Sequence, residues 1–130
     1  MVNMDETIGE NAGKLWHFLN ENQKTPVRTI MLKTKMRNEQ LYPAIGWLAR
    51  ENKIRMEDES YYLGESNLVS EIGANAGKVW QVLNENKVLH INGLKKSVNL
   101  SINDVYSAIG WLAKESKVEA VRGMKYKFKE

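Results

Sequence analysis

The chain predicts a mainly α-helical α+β fold with small β-hairpins, made of two tandem copies of one helix–helix–helix–strand–strand unit. Three observations carry this. The stretch AIGWLA stands at Ala44–Ala49 and again at Ala108–Ala113. Sliding the 130-residue chain by 64 residues aligns Ile8–Gly64 with Ile72–Phe128 without a gap, the mark of an internal duplication. Within each copy the apolar residues first recur at helical spacing and later alternate, the change of period that separates helix from strand.

The first helix of each unit follows from IGENAGKLWHFLNEN and IGANAGKVWQVLNEN. Ile8, Ala12, Leu15, Trp16 and Leu19, and likewise Ile72, Ala76, Val79, Trp80 and Leu83, fall at the i, i+4, i+7 and i+8 positions of one helical face. Both tryptophans lie at the edge of that face and read as core. A short second helix is expected near Asn92–Val98, with Leu94 and Val98 turned inward and Asn92 as its cap. The third helix opens at Ser101, where Ser101 and Asp104 form a capping pair of the S-x-x-D type. It buries Val105, Ala108, Ile109 and Leu112. A strand near Val118–Ala120, a turn at Arg122-Gly123 and an alternating strand over Lys125–Lys129 complete the unit.

The units are placed at residues 5–64 and 70–130, with a short linker at 65–69 inside the stretch ESNLVS. A joint of that length spans on the order of 14 Å, so the two units lie against each other. A unit of about 60 residues buries only roughly 60% of its unfolded surface, and mutual packing of the two covers apolar area that neither hides alone.

Composition bounds the function. The hydrophobic fraction of 42% supports a folded core, and 27% charged residues keep the surface polar. No apolar run approaches the roughly 18 residues of a membrane span. The start Met1-Val2-Asn3-Met4-Asp5-Glu6 has no basic, apolar leader, so a cytoplasmic protein is expected. Without cysteine there is no disulfide, thiolate metal site or cysteine nucleophile. His17 and His90 do not align between the copies, and neither has a second histidine at ligand spacing. No P-loop, G-x-G-x-x-G or nucleophile elbow occurs. No catalytic residue, metal or cofactor is therefore expected, and the protein reads as a non-enzyme.

The formal charge is +3, and its distribution says more than its size. Lys24, Arg28, Lys33, Lys35 and Arg37 form an acid-free run, as do Arg122, Lys125, Lys127 and Lys129, while Glu57-Asp58-Glu59 makes an opposite pole.

The element order, with LSINDVYSAIGWLAKESKV across the second and third helices, resembles the winged helix-turn-helix fold. Leu100-Ser101, the buried Val105, Ile109 and Leu112, and Val118 at the start of the wing match it. The two AIGWLA segments, each followed by a base, an acid and then a lysine, resemble more narrowly an uncharacterised winged-helix family of bacteria and archaea with the motif A-I-G-W-L-A-[RK]-E-x-K. The resemblance runs over nearly the whole chain, once per unit. It implies double-stranded DNA as a partner and a part in transcription regulation, with AIGWLA as the body of the reading helix. Many winged helices hold proteins instead.

At about 100° per residue, Gly110 falls on the outward side of the third helix with Asn103, Ser107 and Lys114, and Trp111 on its flank. The same places in the first unit are Gly46, Glu39, Pro43, Arg50 and Trp47. A glycine inside a helix costs roughly 1 kcal/mol relative to alanine, so its recurrence points to a close approach there. A contact with the neighbouring repeat or the packed wing, or with a partner, through Gly46, Trp47, Gly110 and Trp111 is the preferred reading, with nucleic acid as the other. On the DNA reading, Lys95, Lys96, Asn103, Ser107, Lys114, Arg122 and Lys125 of the second unit carry most of the contact. Lys33, Lys35, Arg37 and Arg50 of the first assist. Two reading helices in one chain would need to stand about 34 Å apart to enter successive major grooves. The alternative function is a protein-interaction scaffold without nucleic acid. Third helices buried against each other point to the scaffold, and exposed ones on a basic face point to DNA.

Overall fold

The structure is a computed structural model that describes residues 4–129. The first half runs α1 (Met4–Asn22), β1 (Thr25–Pro26), α2 (Val27–Thr34), α3 (Asn38–Arg50), β2 (Ile54–Glu57) and β3 (Ser60–Leu63). The second repeats the order as α4 (Val69–Asn86), β4 (Val88–His90), α5 (Ile91–Val98), α6 (Ile102–Lys114), β5 (Val118–Val121) and β6 (Lys125–Phe128). The fold is α+β, two winged-helix units in tandem.

Each unit holds one strand more than the sequence pattern implies. β1 and β4 pair antiparallel with the last strand of their hairpin, giving sheets ordered β1-β3-β2 and β4-β6-β5. Strands of two and three residues are too short to show a period. Pro26 in addition lacks the N–H of a ladder residue and is tolerated because β1 is an edge.

The gapless alignment slips by one residue at the wing. Asp58 and Glu59 form a two-residue turn between Glu57 and Ser60, both with left-handed backbone at φ 50° and 60°, as a type I′ hairpin requires. The second turn takes three residues, Arg122 to Met124, between Val121 and Lys125. The partner of Met56 is therefore Tyr61, whereas that of Ala120 is Tyr126.

Helix starts differ in the same local way. Ser101 Oγ accepts the Asp104 N–H at 3.1 Å, as the capping pattern predicts. In α3 the opposite half of a capping box is present, the Arg37 N–H donating to Gln40 Oε1 at 3.0 Å. For α5 the expected cap Asn92 is corrected to His90. A cap stands outside the helix with extended backbone. His90 has that conformation, and its Nδ1 accepts the Asn92 N–H at 3.1 Å.

The core forms two clusters that trade one residue each. Leu15, Leu19, Ile30, Leu41, Ile45, Leu48 and Ile54 fill the first, and Val79, Leu83, Leu94, Val105, Ile109, Leu112 and Val118 the second. Ile8 of α1 packs into the second cluster, and its counterpart Ile72 of α4 into the first. The first helix of each unit thus closes the other unit's core. Tyr42, Trp47 and Trp111 touch both clusters.

Tyr61 and Tyr126 sit at equivalent places under the two wings. Burial raises both phenols above the ordinary tyrosine value, helped by Tyr42 at the first and Tyr106 at the second. The folded state keeps these protons after the unfolded chain has released them near pH 10. Stability should therefore hold below that pH and fall above it, by up to about 1.4 kcal/mol per pH unit for each tyrosine. A thermal melt series from pH 8 to 11 tests this. The Tyr61→Phe/Tyr126→Phe protein should show a flatter decline, and an identical decline would refute the assignment.

Candidate functional site

The outward faces of the two third helices meet each other. α3 and α6 run side by side in the same direction, a fact fixed by contacts along their length. Near their starts Asn38 Nδ2 donates to Asn103 Oδ1 at 3.0 Å. In the middle, Gly46 lies against the Ser107 carbonyl and Gly110 against the Pro43 carbonyl. At their ends Arg50 Nε pairs with Glu115 at 3.2 Å. The two central contacts exchange under the 64-residue shift, which makes the seam a pseudo-twofold interface inside one chain.

The glycines are what let the backbones meet. A Cβ on Gly46 would overlap the Ser107 carbonyl oxygen and stand 2.8 Å from its carbon; one on Gly110 would overlap that of Pro43, 2.6 Å from its carbon. No alanine fits at either place. The repeated glycine of AIGWLA is thus explained by the contact between repeats.

The tryptophans complete the seam from its flanks. Trp47 covers Gly9 on α1, where an added Cβ would come within 3.3 Å of the indole, and Trp111 covers Gly73 on α4 in the same way. A cation from the other unit then lies over each ring. Lys114 Nζ is 5.4 Å from the centre of Trp47, and Arg50 Cζ 5.5 Å from that of Trp111. Such contacts contribute roughly 0.5–1 kcal/mol at exposed sites.

This geometry corrects the picture of third helices that read a groove. Ser107 is only 6% exposed and faces α3, and the Asn103 amide is engaged by Asn38. Glu39 pairs with Arg37 at 3.0 Å, and Pro43 is buried. Arg50 and Lys114 keep exposed side chains but serve the sister unit's tryptophans. The two helices touch, so they cannot enter successive grooves about 34 Å apart. The signal was present in the repeated glycine. Nothing in the sequence marked the Pro43 and Ser107 carbonyls as its partners, or Asn38 as the partner of Asn103.

The remaining predicted cations lie on the periphery. Lys95 and Lys96 are exposed on α5, and Arg122 and Lys125 on the second wing. The Ile91 N–H donates to the Met124 carbonyl at 2.9 Å, and His90 pairs with Lys125 across the sheet. The start of α5 is thereby fastened to the wing turn that carries Arg122, and Lys95 and Lys96 lie in the last turn of the same helix. Among the described residues none of the four forms an ion pair. Lys33 and Lys35 are also exposed at the end of α2, and neither forms an ion pair among the described residues.

The first wing is its electrostatic opposite. Glu57 accepts from the Tyr62 hydroxyl at 2.7 Å and pairs with Lys24 at 3.4 Å. That hydroxyl, and then Lys24, hold the Glu57 carboxyl below the usual carboxylate range. Residues 1–64 carry nine bases and nine acids, and residues 65–130 ten bases and seven acids, so the whole excess of three positive charges belongs to the second half. No helix among the described residues is long and apolar enough to cross a membrane.

Fold and seam together define a tandem winged-helix protein that carries its own dimer interface. The chain belongs to the winged helix-turn-helix domain family DUF2582, whose profile matches it twice, over residues 3–64 and 65–128. An uncharacterised protein of Methanocaldococcus jannaschii is 41% identical over 56 residues, a stretch that covers 42% of this chain and 80% of the archaeal protein. No solved structure matches the chain. Domains of this class point to a DNA-binding or regulatory role and are typically non-catalytic.

Proposed function

We propose that the protein is a non-catalytic regulatory module that binds double-stranded DNA by its phosphate backbone, from the periphery of the second unit. The observation that supports this best is the fastening of the α5 start to the second wing, which joins the helix carrying exposed Lys95 and Lys96 to the wing carrying exposed Arg122 and Lys125, none of the four in an ion pair among the described residues. α3 and α6 have a structural role in this reading, as the seam that holds the units in one body. Binding is then largely indifferent to sequence, because phosphate contacts position a protein while base contacts specify a site.

The test is fluorescence anisotropy of a labelled random duplex at about 50 mM and about 200 mM salt. Four neutralised phosphates predict a loss of roughly two orders of magnitude in affinity across that range. A second duplex of unrelated sequence should bind within a few-fold. Absence of binding at the lower salt would sink the proposal. It would leave the second reading, a scaffold for protein partners, which the burial of Ser107, Gly46 and Gly110 in the seam favours.

A further inference from the structure

Leu32 on α2 is 79% exposed, well above Met124 at 55% and above Val69 and Val88 at 40% each. A single exposed leucine is ordinary on a protein surface. Its surroundings set this one apart. Arg28 stands one turn earlier on the same face of α2, and Lys33 and Lys35 follow Leu32 in the last turn and the cap. All three cations are exposed, and none is in an ion pair among the described residues. Met31 borders the leucine half-buried, anchored on the first core. Arg and Lys side chains of this kind lay aliphatic stems along apolar surface while their charged ends stay in water, so Arg28 and Lys35 are suited to flank an apolar contact at Leu32.

The duplication supplies an internal comparison. The positions of Arg28, Leu32, Lys33 and Lys35 recur in the second unit as Asn92, Lys96, Ser97 and Asn99. The same helix face is wholly polar there, so the winged-helix fold does not require a leucine at this place. An exposed leucine flanked in sequence by three cations that form no ion pair among the described residues complements a ligand with the reverse pattern.

We infer that the α2 face formed by Arg28, Leu32, Lys33 and Lys35 docks an acidic amphipathic segment of a protein partner, whose apolar side seats Leu32 while its carboxylates meet the three cations. Helix-on-helix recognition of this kind is read through anchors about one turn apart, flanked by charge. The surface lies on the unit opposite to the α5–wing cations and stands independently of the duplex-binding proposal. A nucleic acid would use the same cations but has no need of the leucine.

The full chain is titrated against a labelled 20-residue peptide of alternating Glu and Leu clusters with helical spacing, beside a peptide with serine at every leucine. The expected result is saturable binding of the first peptide, at least tenfold weaker for the second. Leu32→Ser should weaken the first peptide tenfold or more while leaving duplex binding unchanged. Arg28→Glu/Lys33→Glu/Lys35→Glu should abolish peptide binding, and Lys96→Glu should leave it intact. Equal binding of the two peptides, or an unaltered affinity in Leu32→Ser, overturns the inference. So does a loss of duplex binding in the triple variant without any binding of the peptide, since that assigns the face to nucleic acid. A second copy of the chain as the occupant is read by sedimentation. Self-association abolished by Leu32→Ser overturns the inference in favour of a homotypic contact.

Discussion

Alanine at Gly110 is expected to destabilise the protein by about 3 kcal/mol or more, and alanine at Gly46 by a similar amount. Both substitutions would improve helix propensity by up to roughly 1 kcal/mol, so propensity alone predicts the opposite sign. Packing prevails because of what the new methyl meets. It would fall on a backbone carbonyl of the opposite helix, Pro43 for Gly110 and Ser107 for Gly46. A carbonyl held in a helix cannot turn aside as the end of a flexible side chain can. The helices must part along the seam, loosening Ile8, Ile72 and the tryptophans that bridge the cores. Overpacking usually costs about 1–3 kcal/mol, and a rigid seam shared by both units takes the high end or exceeds it. A fall in melting temperature of roughly 10 °C follows for a chain of this size. Gly13 and Gly77 are the internal controls, since each lies within a helix with no atom within 4 Å of an added Cβ. Alanine there should stabilise by a few tenths to about 1 kcal/mol. If all four variants moved in the same direction, the seam would not be set by glycine.

Reversal of Lys95, Lys96, Arg122 and Lys125 to glutamate is expected to remove duplex binding at about 50 mM salt. All four side chains are exposed and outside the core, so the fold should survive, as circular dichroism can verify. The reversal exchanges four attractive phosphate contacts for four repulsive ones. Each lost phosphate contact by itself flattens the salt dependence by about 0.9 in log–log slope. Ser107→Ala makes the complementary comparison. It lies in the seam and touches no duplex in this reading, so affinity should stay within about twofold of the parent. Undiminished binding by the quadruple variant would discard the peripheral surface. A large loss in Ser107→Ala would return the third helix to the groove.

Much of the local structure was legible in the sequence because it depends on short-range pattern. The helical faces of α1 and α4 follow from Leu15, Leu19, Val79 and Leu83 at helical spacing, and all four are buried. The Ser101 cap follows from a hydroxyl three residues before an acid and is present. Elements too short for a period were lost, β1 and β4 among them. The His90 cap leaves no sequence signal of its own, because histidine is a rare cap and Asn92, two residues on, a common one.

The candidate site divides along the same line. The clustering of cations in Lys24–Arg37 and Arg122–Lys129 is a property of the order of residues along the chain, and their exposure follows from their solvation. The repeated glycine announced a close approach inside the third helix, since nothing else compensates its conformational cost in both copies.

Which surface would make that approach belonged to tertiary structure alone. A helix face reads the same from sequence whether it meets DNA, a wing or another helix. Only the packing of α3 along α6 set Gly46 on Ser107 and Gly110 on Pro43, and so turned a would-be reading face into an internal seam. The same packing carried Ile8 and Ile72 into each other's cores and brought Arg50 and Lys114 over the tryptophans. The sequence by itself determined two winged-helix units, their repeated glycine and their unequal charge. The tertiary structure decided that the units are one body, because contacts between residues some 64 positions apart leave no local pattern to read.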